Sequence, residues 1–494
     1  MINNVVFRLD CGKIIGSGHL MRCLALARSL KKINYQCFFV AYDFTKEIIE
    51  KEINKEFKIF YLNSIKYKKN PDEFEKLIFN HKKNLYSLKE KNEFLNIILK
   101  KIRNVKIIIV DHYGLSYKWE KFIKKNSKIK LVVIDDFFNR KHHCDLLIDP
   151  TGQFIKNKFD QINNIFSGTK YAAINKKFYK QKVNKKEFIF ISFGSMDKPG
   201  MTLKTVNELL NTKFKFKIVV AISKFSKNYS TLLKYQAVGK IIICNEIVDI
   251  NYYLNRSFCA IGAAGTSSFE RIYLEIPSLV FKTALNQNNV LKTLSNLNSV
   301  QIGNGKNIKK SLLKFLNSYN KFKIDNIVDR FGAERIIPNL ILHKNKIKFE
   351  FFQNKIEQRD ALFLMRNMSQ HFSTSKITSN KIFYDEHNNW CNFIYKNNTD
   401  LIYIINYDTM VVGYLRYHLE KKVGRKEAFL EVSIFVLDEF SNKNIGSYTL
   451  NFFNKLFSDE NILAEISKNN RSSLKFFEKN NFSLTSKNKK IKLF

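Results

Sequence analysis

Proline is nearly missing from this chain, with 5 in 494 residues, and tryptophan occurs only twice. So little proline excludes extended Pro-rich spacers, and no Gly-rich linker replaces them, so successive domains are expected to abut. The seven cysteines (11, 23, 37, 144, 244, 259 and 391) are scattered, odd in number and never spaced as CxxC. That excludes a disulfide framework or a zinc ribbon and fits a reducing cytoplasm. No apolar run approaches the roughly 18 residues of a membrane span. Arg8 and Asp10 interrupt the N-terminus before a signal-peptide core can form. Acidic residues are scarce too, 44 against 84 Lys plus Arg, which leaves a formal net charge of +40.

What fills the chain is lysine, asparagine, isoleucine and phenylalanine. Only 14 of the 84 basic residues are arginine, and the lysines run along the whole length. No RNA- or DNA-binding motif accompanies them. The charge therefore reads as a compositional bias with a general pull on anionic substrates, not as a nucleic-acid groove. A length of 494 residues with 45% hydrophobic content predicts about three globular domains.

Short β-branched runs alternate with amphipathic stretches, the pattern of βαβ units and a parallel sheet. Strands are predicted at 5–9, 106–110, 131–134, 188–193, 217–221 and 258–261. Leu20, Cys23 or Leu24, Ala27 and Leu30 predict a helix directly after the first strand. Residues 45–104 read as solvated helices. The rhythm pauses over 151–187 and restarts at Phe188, which predicts two α/β domains, 1–150 and 151–343. A third domain, 347–494, opens with helical segments. Strands follow at 401–406, 410–416 and 429–436, then a helix, a strand at 462–466 and a last helix.

Gly16-Ser17-Gly18-His19 lies between the first strand and the first helix. Glycine there lets backbone approach a ligand, and a helix start favours negative charge. Met21 stands where the dinucleotide fingerprint needs glycine, so a tight βα turn is the plain alternative. His19, at the first helical turn, is a candidate general base, or else a capping or packing histidine. Asp111-His112-Tyr113 and Asp135-Asp136 end two further strands. Ligands in open α/β sheets bind beyond the carboxyl ends of strands. Asp10, His19, Asp111, His112 and Asp135 are therefore expected to converge on one crevice, unless one acid of a pair only caps a helix. His142-His143-Cys144-Asp145 resembles a metal cluster, but extended neighbours point to opposite faces, so no metal is expected there. In the second half, Ser192-Phe193-Gly194-Ser195 ends a strand. Gly262-Ala263-Ala264-Gly265-Thr266 suits a diphosphate, with Glu270 placed to accept hydrogen bonds from ribose hydroxyls; an ordinary turn is the alternative.

Taken jointly, Arg8-x-Asp10, Gly16-x-Gly18-His19-x-x-Arg22-Cys23, Asp111-His112-Tyr113, Ile134-Asp135-Asp136 and Gly262-Ala263-Ala264-Gly265 with Glu270 are specific. Ile276-Pro277, Asn286-Gln287 and Phe331-Gly332-Ala333-Glu334-Arg335 complete the set. Residues 1–343 resemble the UDP-2,4-diacetamido-2,4,6-trideoxy-β-L-altropyranose hydrolases of pseudaminic acid biosynthesis. The resemblance implies a GT-B-like pair of Rossmann-like domains and a metal-independent hydrolysis. In it water attacks the anomeric carbon with inversion and UDP leaves. His19 would be the catalytic base, with Asp10, Asp111 and His112 beside it. Arg8, Gly16, Gly18, Arg22, Tyr113, Asp135, Gly194, Gly262, Gly265, Thr266, Glu270 and Gln287 would bind substrate. Gly194-Ser195-Met196-Asp197 departs from the family, which has a second glycine after the first. A GT-B glycosyltransferase passing the sugar to an acceptor is the alternative.

From about 347 the chain resembles the GNAT acetyltransferases, an α+β fold. Glu386-His387-x-x-Trp390, Gly413-Tyr414-Leu415-Arg416, the 431–436 strand, Asn470-x-x-Ser473 and Phe476-Phe477-Glu478-Lys479-Asn480-Asn481-Phe482 occur in family order. The resemblance implies acetyl-CoA as co-substrate, held by Val436, Asn444, Gly446 and Asn470. The loop Ser441-Asn442-Lys443-Asn444-Ile445-Gly446 keeps Gly446 but departs at Ser441 and Asn444. Asn481 replaces another glycine; asparagine is the side chain most tolerant of left-handed backbone. Phe477 stands where many relatives have a tyrosine proton donor. Glu431 and His418 are candidate bases by type and location. Both resemblances together imply a cytoplasmic enzyme that acetylates a UDP-activated diamino 6-deoxy sugar and then releases UDP, with no nucleic-acid or membrane partner.

Overall fold

The computed structural model describes residues 3–12, 16–53, 55–63, 76, 80, 86–153, 162, 164–181, 183, 185–194, 196–197, 199–214, 216–244, 247–323, 325, 327–341, 346–368, 381–420, 429–485 and 488–493. They fall into two compact units, Met1–Ala333 and Glu334–Phe494. Among the described residues no helix is long and apolar enough to cross a membrane.

The first unit holds two sheets. The first comprises β1 (Asn4–Leu9), β2 (Gln36–Tyr42), β3 (Lys58–Leu62), β4 (Val105–Asp111), β5 (Lys130–Ile134), β6 (Leu146–Asp149) and β7 (Ile165–Ser167). Their order is β3-β2-β1-β4-β5-β6-β7, with every neighbouring pair parallel. The second comprises β8 (Phe188–Ser192), β9 (Lys217–Ala221), β10 (Ile242–Cys244), β11 (Ser257–Ala263), β12 (Ser278–Phe281) and β13 (Val300–Ile302). Their order is β10-β9-β8-β11-β12-β13, again all parallel. Both orders reverse at a central pair, β1/β4 and β8/β11. That is the doubly wound, Rossmann-like topology, whose crevice opens at the carboxyl ends of those strands.

Why these runs became strands is plain from their burial. Val5, Val6 and Phe7, Ile108, Ile109 and Val110, and Leu131, Val132 and Val133 have no exposed surface. A parallel strand covered on both faces reads as a continuous apolar run. The segment predicted as solvated helices also contains a strand, β3, at the sheet edge. The first sheet likewise continues past residue 150 to β7, whose three residues are too few to show a period.

The second unit builds on β14 (Ile347–Phe351), β15 (Asp400–Tyr407), β16 (Met410–Glu420), β17 (Phe429–Val436), β18 (Ile462–Ile466) and β19 (Lys489–Leu493). β14 to β17 form an antiparallel meander, and β18 and β19 add in parallel. Helices Ile356–Arg366 and Tyr384–Asn397 pack their apolar faces on β15 and β16, through Leu362, Met365, Cys391 and Ile394 against Ile402, Ile404 and Tyr414.

One residue at the centre of the second sheet tolerates no side chain. Gly262 on β11 pairs with Ser192 on β8, and a Cβ built on it would lie 2.2 Å from the Ser192 carbonyl oxygen. Both partners are backbone of central strands, so neither can yield cheaply. Gly262→Ala is expected to destabilise the first unit by about 1–3 kcal/mol, measured as a lowered denaturation midpoint with far-UV dichroism.

Candidate active sites

Adjacent pairing of β1 and β4 brings Leu9 opposite Asp111, so the residues that leave both strands emerge side by side. Asp10 is wholly buried. Its Oδ1 accepts from the Tyr42 amide at 2.7 Å, and its Oδ2 accepts from Arg8 Nη1 at 2.6 Å and lies 3.2 Å from His112 Nε2. Arg8 spends its other nitrogens on Glu90, at 3.1 and 2.8 Å. Burial pushes the Asp10 carboxyl up, but Arg8 and His112 more than offset it and hold it below its ordinary range. Burial pushes His112 down to about 4, against the pull of Asp10. The neutral ring accepts from the Gly114 amide on Nδ1, at 3.0 Å, which leaves its proton on Nε2 toward Asp10. Arg8, Asp10 and His112 thus form a sealed brace under the crevice. Arg8, expected to touch substrate, has no exposed surface.

Above this brace sits a second charged cluster. His19, in the first turn of the helix Gly18–Lys32, bonds through Nδ1 to Asp111 Oδ1. Arg22, one turn on, reaches both oxygens of Asp111, through Nε and through Nη2 at 2.6 Å. Burial raises Asp111, and Arg22 and then His19 outweigh it, so the carboxyl is held far below its ordinary range. An ionised Asp111 only accepts, so His19 donates to it from Nδ1, which leaves Nε2 as the other ring nitrogen. Arg22 Nη1 continues to Asp136 at 2.7 Å, and the Tyr113 hydroxyl donates to the other Asp136 oxygen at 2.6 Å. Tyr113 meets His19 edge-on, with ring centroids 4.5 Å apart.

The second sheet closes the crevice. Asn286 donates to the Tyr113 hydroxyl at 3.2 Å, and Asn289 donates to the Asp136 and Phe137 carbonyls at 3.0 Å each. A Cβ on Gly18 would lie 3.3 Å from Thr266 Oγ1, so the two glycine-rich turns face each other. Gly16 and Gly194 take left-handed φ values of +82° and +90°, with no atom near where a Cβ would sit. Gly265 is equally open. Arg271 ties the 262–266 turn by donating to the Ala263 carbonyl and to Ser268 Oγ, at 3.0 and 2.9 Å. Burial pushes Glu270 up to about 7 against Arg271, and among the described residues its carboxyl has no hydrogen-bond partner. Ser195 lies outside the described residues.

Two expected ligand-binding residues serve other ends. Asp135 is wholly buried; it accepts from the Phe137 amide at 2.9 Å and from His142 at 2.8 Å, and Arg140 lies 3.3 Å away. Its neighbour Asp136 faces the crevice instead, because successive side chains leaving a strand point oppositely. Gln287 accepts through Oε1 from the Thr283 and Ala284 amides, at 2.7 and 3.3 Å, and so holds its own turn. Asn289 was missed; it stands one helical turn after Asn286, the spacing that puts two side chains on one face.

The second unit offers a different opening. β17 pairs with β18 only at Leu430↔Ile462 and Glu431↔Leu463, so beyond Glu431 the two strands part. The backbone of Val432–Val436 keeps its partner on the β16 side, where Val436 meets Gly413. Asn444 takes the left-handed conformation, φ 55°, just before the helix Ile445–Leu456, and Asn481 does the same at φ 67°. A Cβ on Gly446 would lie 3.2 Å from the Phe476 ring and 3.8 Å from Val436, so the helix start packs closely on the end of β17. Asn470 caps the helix Arg471–Lys479 by accepting from the Ser473 amide at 3.0 Å. Phe477 is buried against Phe482, with centroids 5.1 Å apart.

On the face of the sheet beside this opening, His418 on β16 stands opposite Glu431 on β17. His418 Nδ1 lies 3.1 Å from Asp400, which Arg416 Nε also reaches at 2.5 Å. The hydrogen bond to Asp400 raises the His418 pKa against partial burial.

Known proteins resemble parts of this chain. Residues 365–482 match the model of the Acetyltransferase (GNAT) family. The UDP-2,4-diacetamido-2,4,6-trideoxy-β-L-altropyranose hydrolase of Campylobacter jejuni is 27% identical over 238 residues, covering 47% of this chain and 73% of its own. An uncharacterized protein of Methanocaldococcus jannaschii is 28% identical over 288 residues, 54% of this chain and 53% of its own. The chain thus spans about half the length of that second relative. Among solved structures, MurG of Acinetobacter baumannii aligns at a TM-score of 0.45 with 12% identity, over 68% of this chain and 98% of that one. The chain is α/β, joining a region similar to a UDP-sugar hydrolase to a C-terminal GNAT domain, as its sequence implied.

Two substitutions probe the electrostatics of the first site. Because the folded Asp111 pKa is depressed, its ion pairs stabilise the fold above the ordinary carboxylate pKa and are lost as pH falls through the lowered value. Asp111→Asn is expected to cost about 3–5 kcal/mol at pH 7. Its deficit against the wild type should shrink below about pH 4, as acid-titrated denaturation curves would show. Glu270 has the opposite sign. Its raised pKa costs stability as pH rises from about 4.5 to about 7, so Glu270→Gln should raise the Tm at pH 8 and leave it unchanged at pH 4.

Proposed function

We propose that this chain is a bifunctional nucleotide-sugar enzyme of pseudaminic acid biosynthesis. It acetylates the amine of a UDP-4-amino-6-deoxy sugar and then hydrolyses UDP-2,4-diacetamido-2,4,6-trideoxy-β-L-altrose. Residues 1–150 and 151–343 form the hydrolase and 347–494 the acetyltransferase, both acting in the cytoplasm. The observation that carries the hydrolytic reading is His19, oriented by Asp111 and Arg22, with Gly18 beside it facing Thr266 in a turn of small residues.

In the hydrolytic step, His19 Nε2 takes a proton from water as the water oxygen bonds to the anomeric carbon. The bond from that carbon to the phosphate oxygen breaks, and its electron pair leaves with UDP. Asp111 stabilises the imidazolium as it forms, much as a buried acid supports a catalytic histidine elsewhere. Arg22 and the amides of the 262–266 turn face the growing negative charge. Asp10, His112 and Arg8 hold the strand ends from which these groups project.

Acetyl-CoA, the co-substrate of the second unit, supplies an activated acetyl thioester. The strand edge freed where β17 leaves β18 fits its extended arm, and Val436, Asn444 and Gly446 fit its diphosphate end. The side-chain amide nitrogen of Asn470 is the group that residue has left to offer. His418, steadied by Asp400, and Glu431 opposite it are placed to take the proton of the acceptor amine. Covalent fusion raises the local concentration of the acetylated intermediate near the hydrolase.

The test supplies purified protein with UDP-4-amino-4,6-dideoxy-N-acetyl-altrosamine, with and without acetyl-CoA, and follows products by mass spectrometry. UDP and free diacetamido sugar are expected only with acetyl-CoA. His19→Ala should slow hydrolysis by about 10²–10⁴-fold and accumulate the acetylated nucleotide sugar. Acetylated nucleotide sugar left uncleaved by the wild type would overturn the hydrolase assignment.

A further inference from the structure

The helix Ile356–Arg366 ends in a cation, and the neighbouring helix Tyr384–Asn397 presents Trp390 beside it. The Arg366 guanidinium carbon lies 4.2 Å from the centroid of the Trp390 ring. Arg416, from β16, approaches the same ring at 5.6 Å. Two cations therefore converge on one indole, and they are not equally satisfied. Arg416 is neutralised by Asp400 at 2.5 Å. Arg366 has no ion-pair partner among the described residues, and its Nη1 is buried without a hydrogen bond. Burial, with Arg416 close by, holds Arg366 below the ordinary guanidinium range.

One arginine stacked on tryptophan is common packing, worth roughly 0.5–1 kcal/mol when exposed. A second cation beside it, with a buried donor left unused, costs free energy that folding alone does not recover. The arrangement has the form of a receptor. A guanidinium fork matches the oxygens of a phosphate, and a flat ring held between cations matches a planar heterocycle. A nucleoside diphosphate carries both. The platform also borders the proposed proton acceptor: Arg416 Nη2 lies 3.5 Å from His418 Nδ1, and the facing residues of β17 are Ser433 opposite Arg416 and Glu431 opposite His418. Ser433 is exposed, so this part of the sheet face is open.

We propose that Arg366, Trp390 and Arg416 form the subsite of the second unit that grips the nucleoside diphosphate end of its amine acceptor. This assignment rests on the acetyltransferase reading above. Acetyl-CoA also carries a diphosphate and a heterocycle, but its place in that reading is at the start of the helix Ile445–Leu456, so the two ligands must be separated by experiment.

The full chain contains two tryptophans. Trp119 is wholly buried in the core of the first sheet, and Trp390 is part-exposed. UDP, uridine and acetyl-CoA are titrated against tryptophan emission in the wild type, Trp390→Phe and Arg366→Ala. UDP should give a saturable change that Trp390→Phe abolishes and that Arg366→Ala weakens about tenfold or more, with uridine much weaker. In turnover, Arg366→Ala should raise KM for the UDP-amino sugar by a similar factor. KM for acetyl-CoA and hydrolysis of the diacetamido substrate should stay unchanged, which also certifies folding. A Trp390 signal produced by acetyl-CoA and not by UDP would overturn the assignment. So would an unresponsive Trp390 in a protein that acetylates UDP-free amino sugar as fast as the nucleotide-linked one; the acetyltransferase reading would then survive. A UDP response at Trp390 with no acetyl transfer to any amine would support the subsite and remove the acetyltransferase.

Discussion

The Asp111 carboxylate organises the first unit. It ends the strand β4, takes three nitrogen donors from His19 and Arg22, and through Arg22 reaches Asp136, Tyr113 and Asn286. One buried negative charge thereby fixes the tautomer of a histidine, neutralises a buried arginine and sets the position of a tyrosine at the border with the second sheet. Isolated, such a charge would be expelled or protonated; inside this network it remains ionised. The rigidity of the site follows from electrostatic necessity, because no member of the chain can turn away without leaving a buried charge uncompensated.

Much of this was legible in the residues. Strands buried on both faces announced themselves as runs such as Ile107–Val110, and the glycine turns marked where strands hand over to helices. The edge strand β3 did not, because Lys58 is exposed and Ile59, Phe60 and Tyr61 are only half-buried, so the run mimics an amphipathic helix. Which acid of the Asp135-Asp136 pair faces the crevice was hidden as well, since it depends on the turn that follows and not on the pair itself. Glu90 carried no local signal, because its meaning comes only from Arg8, 82 positions away.

In the second unit the composition itself shaped the outcome. A chain rich in lysine and asparagine places Asn444 and Asn481 at turns where the resemblance led one to expect glycine, and both residues adopt the left-handed backbone. Asparagine bears this conformation at lower cost than other side chains, through hydrogen bonds to its own backbone. Departures from a motif are therefore best judged by the backbone they must adopt. By that measure Asn444 keeps the left-handed turn before the helix Ile445–Leu456, whereas Phe477, buried among aromatics, has no hydroxyl.

The ion pairs in and beneath the first site also join distant parts of the chain. Arg8 needs Glu90, and Arg22 needs Asp111 and Asp136, separations of 82, 89 and 114 residues. Arg8, on β1, is fully paired only once Glu90 has joined the fold, and Arg22, on the first helix, only once the ends of the fourth and fifth strands have. Such long-range pairing slows folding and prolongs exposure to aggregation. The charges that fix the finished site therefore make folding of this half depend on distant segments meeting, not on local structure alone.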